Sequence, residues 1–192
     1  MRQSWQAEQA ELMQGAAADL RCRAQEEMGL WLAGLRPWTL WATLTVDSKR
    51  SPPLPWWGES SREQYRKEAV EGRGRPVARD VMVRMVRGSF AAAEELLAHR
   101  VDYVACLEAH RSGALHAHAM VDTGELGEGC RDVEVLQEGW FSRYGFCRFE
   151  PPRDVLNAAQ YAGKHLVKRE GAELILSRGL GWKEIPRVRR LF

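Results

Sequence analysis

The spacing of apolar and polar positions along the chain predicts helices and strands in an irregular order. Apolar residues recur at steps of three and four near the start, which predicts a helix over about 3–33, ended by Gly34 and Pro37. The stretch "TLWATLTVD" alternates and is rich in Thr, Val and Trp, so it predicts a strand over 39–47. A Pro-rich loop follows this strand.

The middle of the chain predicts a helical region followed by a β-hairpin. Ser60 or Ser61 can cap a helical segment that extends over about 60–99, with a break expected at Gly88. "VDYVACLEAH" then predicts a strand at 101–109, and "ALHAHAMV" a second one at 114–121. The short "RSG" between them is typical of a tight turn, so the two strands are expected to pair.

The last third adds two helices and two short strands. "CRDVEVLQEGWFSRYG" predicts a helix, "FCRFE" a strand at 146–150, "RDVLNAAQYAGKHLVKRE" a helix at 153–169, and "AELILSRG" a last strand. This order, with a hairpin at its centre, favours an α+β fold: an antiparallel sheet flanked by helices. We expect the 192 residues to form a single domain, 1–192.

Composition indicates the cellular compartment of the protein. No apolar run approaches the roughly 20 residues that a membrane-spanning helix needs, and the N-terminus lacks the apolar core of a secretory signal. The four cysteines show no C-x-x-C spacing, which is typical of reduced thiols inside a cell. We therefore expect a cytoplasmic protein with no membrane partner.

Charge is nearly balanced overall but uneven along the chain. The formal net charge is +2, yet residues 48–87 carry ten cations against five acids. The tail from 178 carries five cations against one acid. Such segments can form basic patches that contact nucleic acid, although solvated surface explains either segment taken alone.

Two histidines inside an apolar strand are the most unusual feature of the sequence. His116 and His118 are two positions apart, so in a strand they point to the same face of the sheet. Folding the hairpin back brings Glu108 beside them if the register agrees. Two imidazoles and one carboxylate suit Mn²⁺ or Mg²⁺ and leave positions free for phosphate oxygens. The alternative is a pair of histidines on a solvated strand face.

The helix over 153–169 carries a candidate nucleophile. Tyr161, Lys164 and Lys168 follow one face of this helix, while Val155, Ala159, Ala162 and Leu166 form a separate apolar face. A phenol is a weak nucleophile at neutral pH, but a nearby cation and a lysine can assist it. A helical tyrosine that only packs against its neighbours is the simpler alternative.

Three blocks together resemble the HUH endonuclease superfamily, specifically its Rep-type initiators of rolling-circle replication. "LWATLTV" resembles the first motif, "EAHRSGALHAHAMV" the second and "YAGKHLVK" the third, and they span 40–168. The tyrosine follows the histidines, unlike the order in relaxases. The resemblance implies an HUH/Rep-like, ferredoxin- or RRM-related nuclease fold and a DNA nickase with strand-joining activity.

The resemblance also implies a role for each residue. Tyr161 would attack a phosphodiester of single-stranded DNA or an origin hairpin to form a 5′-phosphotyrosine link, aided by Lys164. Glu108, His116 and His118 would hold the metal. Ala117 departs from the bulky residue usual between the histidines, and the basic helical region 60–99 is an insertion. No phosphate-binding G-x-x-x-x-G-K-[ST] occurs, so a separate helicase is an expected partner in a bacterial or archaeal host replicating a plasmid or phage.

Nucleic-acid contacts are predicted on three further parts of the chain. Paired tryptophans beside cations can stack on unpaired bases, although they can also fill a gap in the core. The predicted contact residues are Thr43, Thr45, Lys49, Arg50, Trp56, Trp57, Arg62, Arg66, Lys67 and Lys168. For Thr43 and Thr45 the contact is implied only by the resemblance to HUH endonucleases. Two other functions remain open: a tyrosine transposase acting on single strands, and a non-catalytic nucleic-acid-binding regulator with a structural metal.

Overall fold

The computed structural model describes residues 2–47, 77–109, 115–124, 131–167 and 174–180. For 2–13 and 165–167 it describes the backbone alone. Four helices and five strands lie in these ranges. In chain order they are α1 (Arg2–Leu35), β1 (Leu40–Thr45), α2 (Arg79–Leu97), β2 (Asp102–Ala109), β3 (Leu115–Asp122), α3 (Arg131–Phe141), β4 (Cys147–Glu150), α4 (Val155–Val167) and β5 (Leu174–Leu176).

The five strands form one antiparallel sheet in the order β4-β1-β3-β2-β5. The β2–β3 hairpin lies at its centre, with Tyr103 opposite Val121 and Glu108 opposite His116. The predicted α+β class and the pairing of the two hairpin strands are therefore confirmed. On its other side β3 pairs with β1, which brings the first predicted strand next to the histidines.

The alternation of side chains along each strand gives the sheet two different faces. One face carries small and apolar residues such as Leu44, Ala119 and Ile175, and α2 and α3 cover it with Phe90 and Trp140 to form the larger core. The other face carries the histidines at one end. Elsewhere it is covered by α1 and α4, which form the second core.

Helix α2 belongs to the larger core. It runs without interruption through Gly88, so the expected break there is wrong. Its apolar residues, including Met82, Val86 and Phe90, are buried against the sheet, and this burial holds the helix straight across the glycine. The described part of the predicted helical region 60–99 therefore packs on the face opposite the histidines, and its remainder, 60–76, lies outside the described residues.

Helices α1 and α4 approach so closely at Gly29 and Gly163 that neither position has space for a side chain. A Cβ on Gly29 would lie 2.9 Å from the Cα of Gln160, and a Cβ on Gly163 would lie 3.0 Å from the carbonyl oxygen of Gln25. Small residues at this crossing let α4 lie flat on α1. The crossing fixes the position of the helix that carries Tyr161.

A partly buried carboxylate joins three segments at the end of β2 that is distant from Glu108. Asp102 accepts hydrogen bonds from Ser177 Oγ at 2.8 Å, Arg100 Nε at 2.9 Å and Arg36 Nε at 3.2 Å. Arg36 follows α1 and Ser177 follows β5, so this cluster ties the last turn of α1 and the edge strand to the sheet. Burial alone would raise the pKa of Asp102, but these hydrogen bonds outweigh it and lower that pKa.

Replacing Asp102 with Asn is expected to lower the free energy of unfolding by about 2 kcal/mol at pH 7, because charged hydrogen bonds to two arginines are lost. Since the folded-state pKa is lowered, this stabilisation is complete above about pH 4 and is lost as the pH falls through the lowered value. Urea unfolding of both proteins at pH 7 and pH 3 measures it. An equal difference at both pH values would contradict this account.

None of the helices within the described ranges combines the length and the apolar character that crossing a membrane requires.

Candidate metal centre and tyrosine

The hairpin register brings the three predicted metal ligands together. Glu108 lies directly opposite His116, and His118 is one step further along the same face of β3. Oε2 of Glu108 lies 3.2 Å from Nε2 of His116 and 3.5 Å from Nε2 of His118. Each residue thus offers one ligand atom, and the three atoms lie within 4.8 Å of one another.

The chemistry of these donors fits a cation. Two ring nitrogens and a carboxylate oxygen converge at a partly buried position, where the side chains of Glu108 and His118 are 30% and 10% exposed. A carboxylate this close to two imidazoles can accept a hydrogen bond from a ring N–H or can share a positive ion with the ring nitrogens. The group could therefore bind a metal ion through three protein ligands, which leaves further coordination positions toward solvent.

Strand β1 supports His118 from two sides. Oγ1 of Thr43 lies 3.3 Å from Nδ1 of His118, so a proton on Nδ1 would be held by the threonine and Nε2 would keep its lone pair for a cation. The ring of Trp41 stacks on the imidazole at a centroid distance of 5.4 Å and an angle of 19°. These contacts hold the imidazole in an orientation in which Nε2 lies 3.5 Å from Oε2 of Glu108.

Glu108, His116 and His118 are called the triad below. Tyr161 lies beside the triad on α4, one of the two helices that cover the sheet face carrying the histidines. Its ring meets His118 edge to face at a centroid distance of 5.3 Å and meets Trp41 at 5.7 Å. The tyrosine is 44% exposed, so part of its side chain is open to solvent. The turn of α4 that carries it is held down by Ala159 and Ala162, which are buried in the second core as the apolar face of this helix predicts.

The electrostatic setting of Tyr161 depends on whether a cation is present. Partial burial raises the pKa of its phenol, and the negative charge of Glu108 raises it further. Both effects oppose formation of the phenolate. A divalent ion held by Glu108 and the histidines would reverse the sign of the local charge and favour the phenolate. A metal at the triad would therefore make Tyr161 a better nucleophile.

The other predicted site residues fall into two groups. Lys164 is exposed on α4, three residues after Tyr161, and Thr45 lies opposite His116 on the same sheet face. The hydroxyl of Thr43 contacts His118. Its predicted contact with DNA stays a prediction. The predicted contacts Lys49, Arg50, Trp56, Trp57, Arg62, Arg66, Lys67 and Lys168 lie outside the described residues.

Trp41 is a functional candidate that the sequence motifs did not indicate. It contacts both His118 and Tyr161, so one side chain positions a metal ligand and the candidate nucleophile. The signal was present in "WATLT", because a period of two places Trp41 on the same face as Thr43 and Thr45. Its register opposite Met120 could not be read from β1 alone.

In comparisons with known proteins, no protein-family model, no curated protein and no solved structure matches the chain.

Metal binding should appear as a thermal shift. Adding Mn²⁺ at about 100 times its dissociation constant is expected to stabilise the protein by about 2.7 kcal/mol, which raises the melting temperature by about 5–10 °C. The shift should shrink in acid, because protonated imidazoles cannot ligate. Differential scanning fluorimetry at pH 7.5 and pH 5 measures both effects. A shift that is unchanged in the His116→Ala variant would place the ion elsewhere.

Proposed function

We propose that this protein is a metal-dependent endonuclease that nicks and rejoins single-stranded DNA through Tyr161. The observation that carries the proposal is the contact between the Tyr161 ring and His118, at 5.3 Å, on a sheet face where Glu108 and His116 also converge. A nucleophile beside a candidate cation site is the arrangement that phosphoryl transfer requires. The three sequence blocks that resemble HUH endonucleases support the same reaction.

In the proposed reaction Tyr161 attacks the phosphorus of a phosphodiester. The Oη–P bond forms as the bond from phosphorus to the 3′ oxygen breaks, and the phenolic proton passes to solvent. The leaving 3′ oxygen takes up a proton to give a free 3′-OH, while the 5′ phosphate stays bonded to the tyrosine. Rejoining is the reverse: a 3′-OH attacks the phosphotyrosine and releases Tyr161, so phosphodiester bonds are conserved overall.

The residues around Tyr161 have separate tasks in this scheme. Glu108, His116 and His118 would hold Mn²⁺ or Mg²⁺, which when bound polarises the phosphate and neutralises developing charge. Trp41 keeps the Tyr161 ring against His118. Lys164 offers a mobile cation one turn away on the same helix. Because two histidines and a glutamate also suit Zn²⁺, cleavage should be compared across all three metals.

We infer that such a nickase starts rolling-circle replication of a plasmid or phage in a bacterial or archaeal cytoplasm, with a separate helicase to unwind the duplex. A tyrosine transposase acting on single strands would use the same chemistry, and a hairpin origin beside the gene would distinguish the two. A regulator with a structural metal is the non-catalytic alternative. It predicts DNA binding and the metal-dependent thermal shift without any covalent product.

A covalent adduct assay tests the proposal against that alternative. The protein is incubated with a labelled random single-stranded library and Mn²⁺, and the products are separated on a denaturing gel. A nickase yields a labelled band at the protein's mass, and sequencing the attached strands gives the cut site. Free DNA alone, with any of the three metals and with hairpin substrates, would overturn the proposal.

Binding to single-stranded DNA should weaken steeply with salt. Each phosphate that a cation neutralises contributes about −0.7 to the slope of log K against log salt concentration. Charge reversal at Arg62, Arg66 and Lys67 is expected to reduce this slope by about 2, whereas the same change at Arg2, Arg21 and Arg23 should leave it nearly unchanged. Fluorescence anisotropy over a salt series measures it. Equal losses for the two sets would remove the 60–67 segment from the DNA interface.

A further inference from the structure

One exposed aromatic side chain lies in line with the metal-ligand triad across the sheet. Thr45 lies opposite His116, which in turn lies opposite Glu108. The Thr45 amide donates a hydrogen bond to the carbonyl oxygen of Phe146 at 2.8 Å, which continues this row onto the start of β4. Arg148 lies opposite Thr43 on the face that carries His118, so Phe146, two residues earlier, points to that face as well.

The helices leave this side of the face open. Val104, Cys106 and Met120 are buried under α1 and α4, so the half of the face toward β2 and β5 is closed to a ligand. Among the described residues the cover ends toward β4: Thr45 is only half-buried and Phe146 is 60% exposed. No described helix therefore lies over the path across β1 to β4 that a polymer with one unit at the triad would take.

The distance along this path suits a nucleic-acid strand. Neighbouring strands are about 4.8 Å apart, so the Phe146 backbone lies about 10 Å from that of His116. A few nucleotides span this distance. Two residues after Phe146, Arg148 is paired with Glu150 at 2.6 Å, which weakens the attraction of this arginine to phosphate. Among the described residues of this part of the sheet, the exposed ring of Phe146 offers a ligand a large apolar contact.

We propose that Phe146 stacks on an unpaired base of the DNA strand, a few nucleotides from the phosphate held at the triad. This inference rests on the proposed nickase function and adds a second contact point for the same substrate. Every base presents a flat π-face, so stacking on Phe146 holds the strand in place without selecting a sequence. It also fixes the direction of the strand, from the triad over Thr45 toward β4.

Binding measurements with the full chain test this contact. Phe146→Ala is expected to weaken binding to a single strand selected from the random library for affinity to the wild type by about tenfold, within the range measured for base–aromatic contacts. The salt slope should stay as in the wild type, since no phosphate contact is lost. Phe146→Trp should restore the affinity. Leu96→Ala is the matched control: Leu96 is also 60% exposed but lies on α2, on the opposite face.

Abasic substitution then locates the base. Removing single bases in turn should weaken wild-type binding at one position near the cut site, and Phe146→Ala should be insensitive to that position. Wild-type adduct formation with equal affinities for wild type and Phe146→Ala would overturn the stacking contact and leave the nickase intact. A position-specific loss abolished by Phe146→Ala, without any adduct, would support stacking and overturn the nickase.

Discussion

Phe in place of Tyr161 is expected to abolish both strand cleavage and the covalent adduct, at least a thousandfold below the wild type. The substitution removes one oxygen and keeps the ring, so the contacts with Trp41 and His118 persist and the melting temperature should hardly change. Affinity for single-stranded DNA should stay within about twofold, because phosphate contacts come from cations and backbone groups. Single-turnover cleavage and anisotropy measure the two effects.

Two further variants serve as controls for that result. Tyr144→Phe should remain active, because Tyr144 is buried in the larger core against Trp140 and cannot reach a substrate. Lys164→Ala should slow cleavage by about 10- to 100-fold without abolishing it, since an exposed lysine supports charge rather than forming the bond. An adduct from the variant that lacks the Tyr161 hydroxyl would show that another residue is the nucleophile.

Changing both His116 and His118 to Ala should reduce cleavage by at least about a thousandfold, because the loss of a catalytic metal removes several kcal/mol of transition-state stabilisation. The fold should persist, because Ala117, Ala119 and Val121 on the other face of β3 stay buried in the larger core. The thermal shift with Mn²⁺ should disappear in the same variant. Both readouts can be taken from one preparation.

The decisive comparison for the variant with both His116→Ala and His118→Ala uses a chelator. Wild-type cleavage should stop in EDTA and return when Mn²⁺ is added in excess, while the double variant stays inactive in both conditions. The His99→Ala variant is a suitable control, because it also removes an imidazole, but His99 is paired with Asp132 at 2.9 Å and is not one of the three candidate ligands. Nicking by the double variant in EDTA would show that the triad is not catalytic.

The sheet and the convergence of Glu108, His116 and His118 were predictable because they depend on local patterns. A period of two put His116 and His118 on one face, and the predicted pairing of β2 with β3 brings Glu108 beside them in the register that the structure has. The apolar face of α4 predicted that Ala159 and Ala162 would pack against the rest of the protein and that Tyr161 would lie on a separate, more exposed face of this helix. The structure agrees with each of these placements.

Features that depend on contacts between distant segments were not predictable. Gly88 looked like a helix break, but burial of the residues around it against the sheet overrides its low helix propensity. The Asp102 cluster joins residues 36, 100 and 177, which no local pattern relates. Trp41 and Phe146 gain their positions from the pairing of β1 with β3 and β4, a long-range arrangement that alternation within one strand does not specify.

The central claim, that Tyr161 forms a covalent bond to a DNA 5′ phosphate, is tested most directly by mapping the adduct. After reaction with the recovered single strand, nuclease and trypsin digestion leave a nucleotide on one peptide, and Tyr161 falls in the tryptic peptide 154–164. The account predicts a 5′-phosphate link on Tyr161 and a free 3′-OH on the released strand. A nucleotide on any other residue, or a 3′-phosphate link, would contradict it.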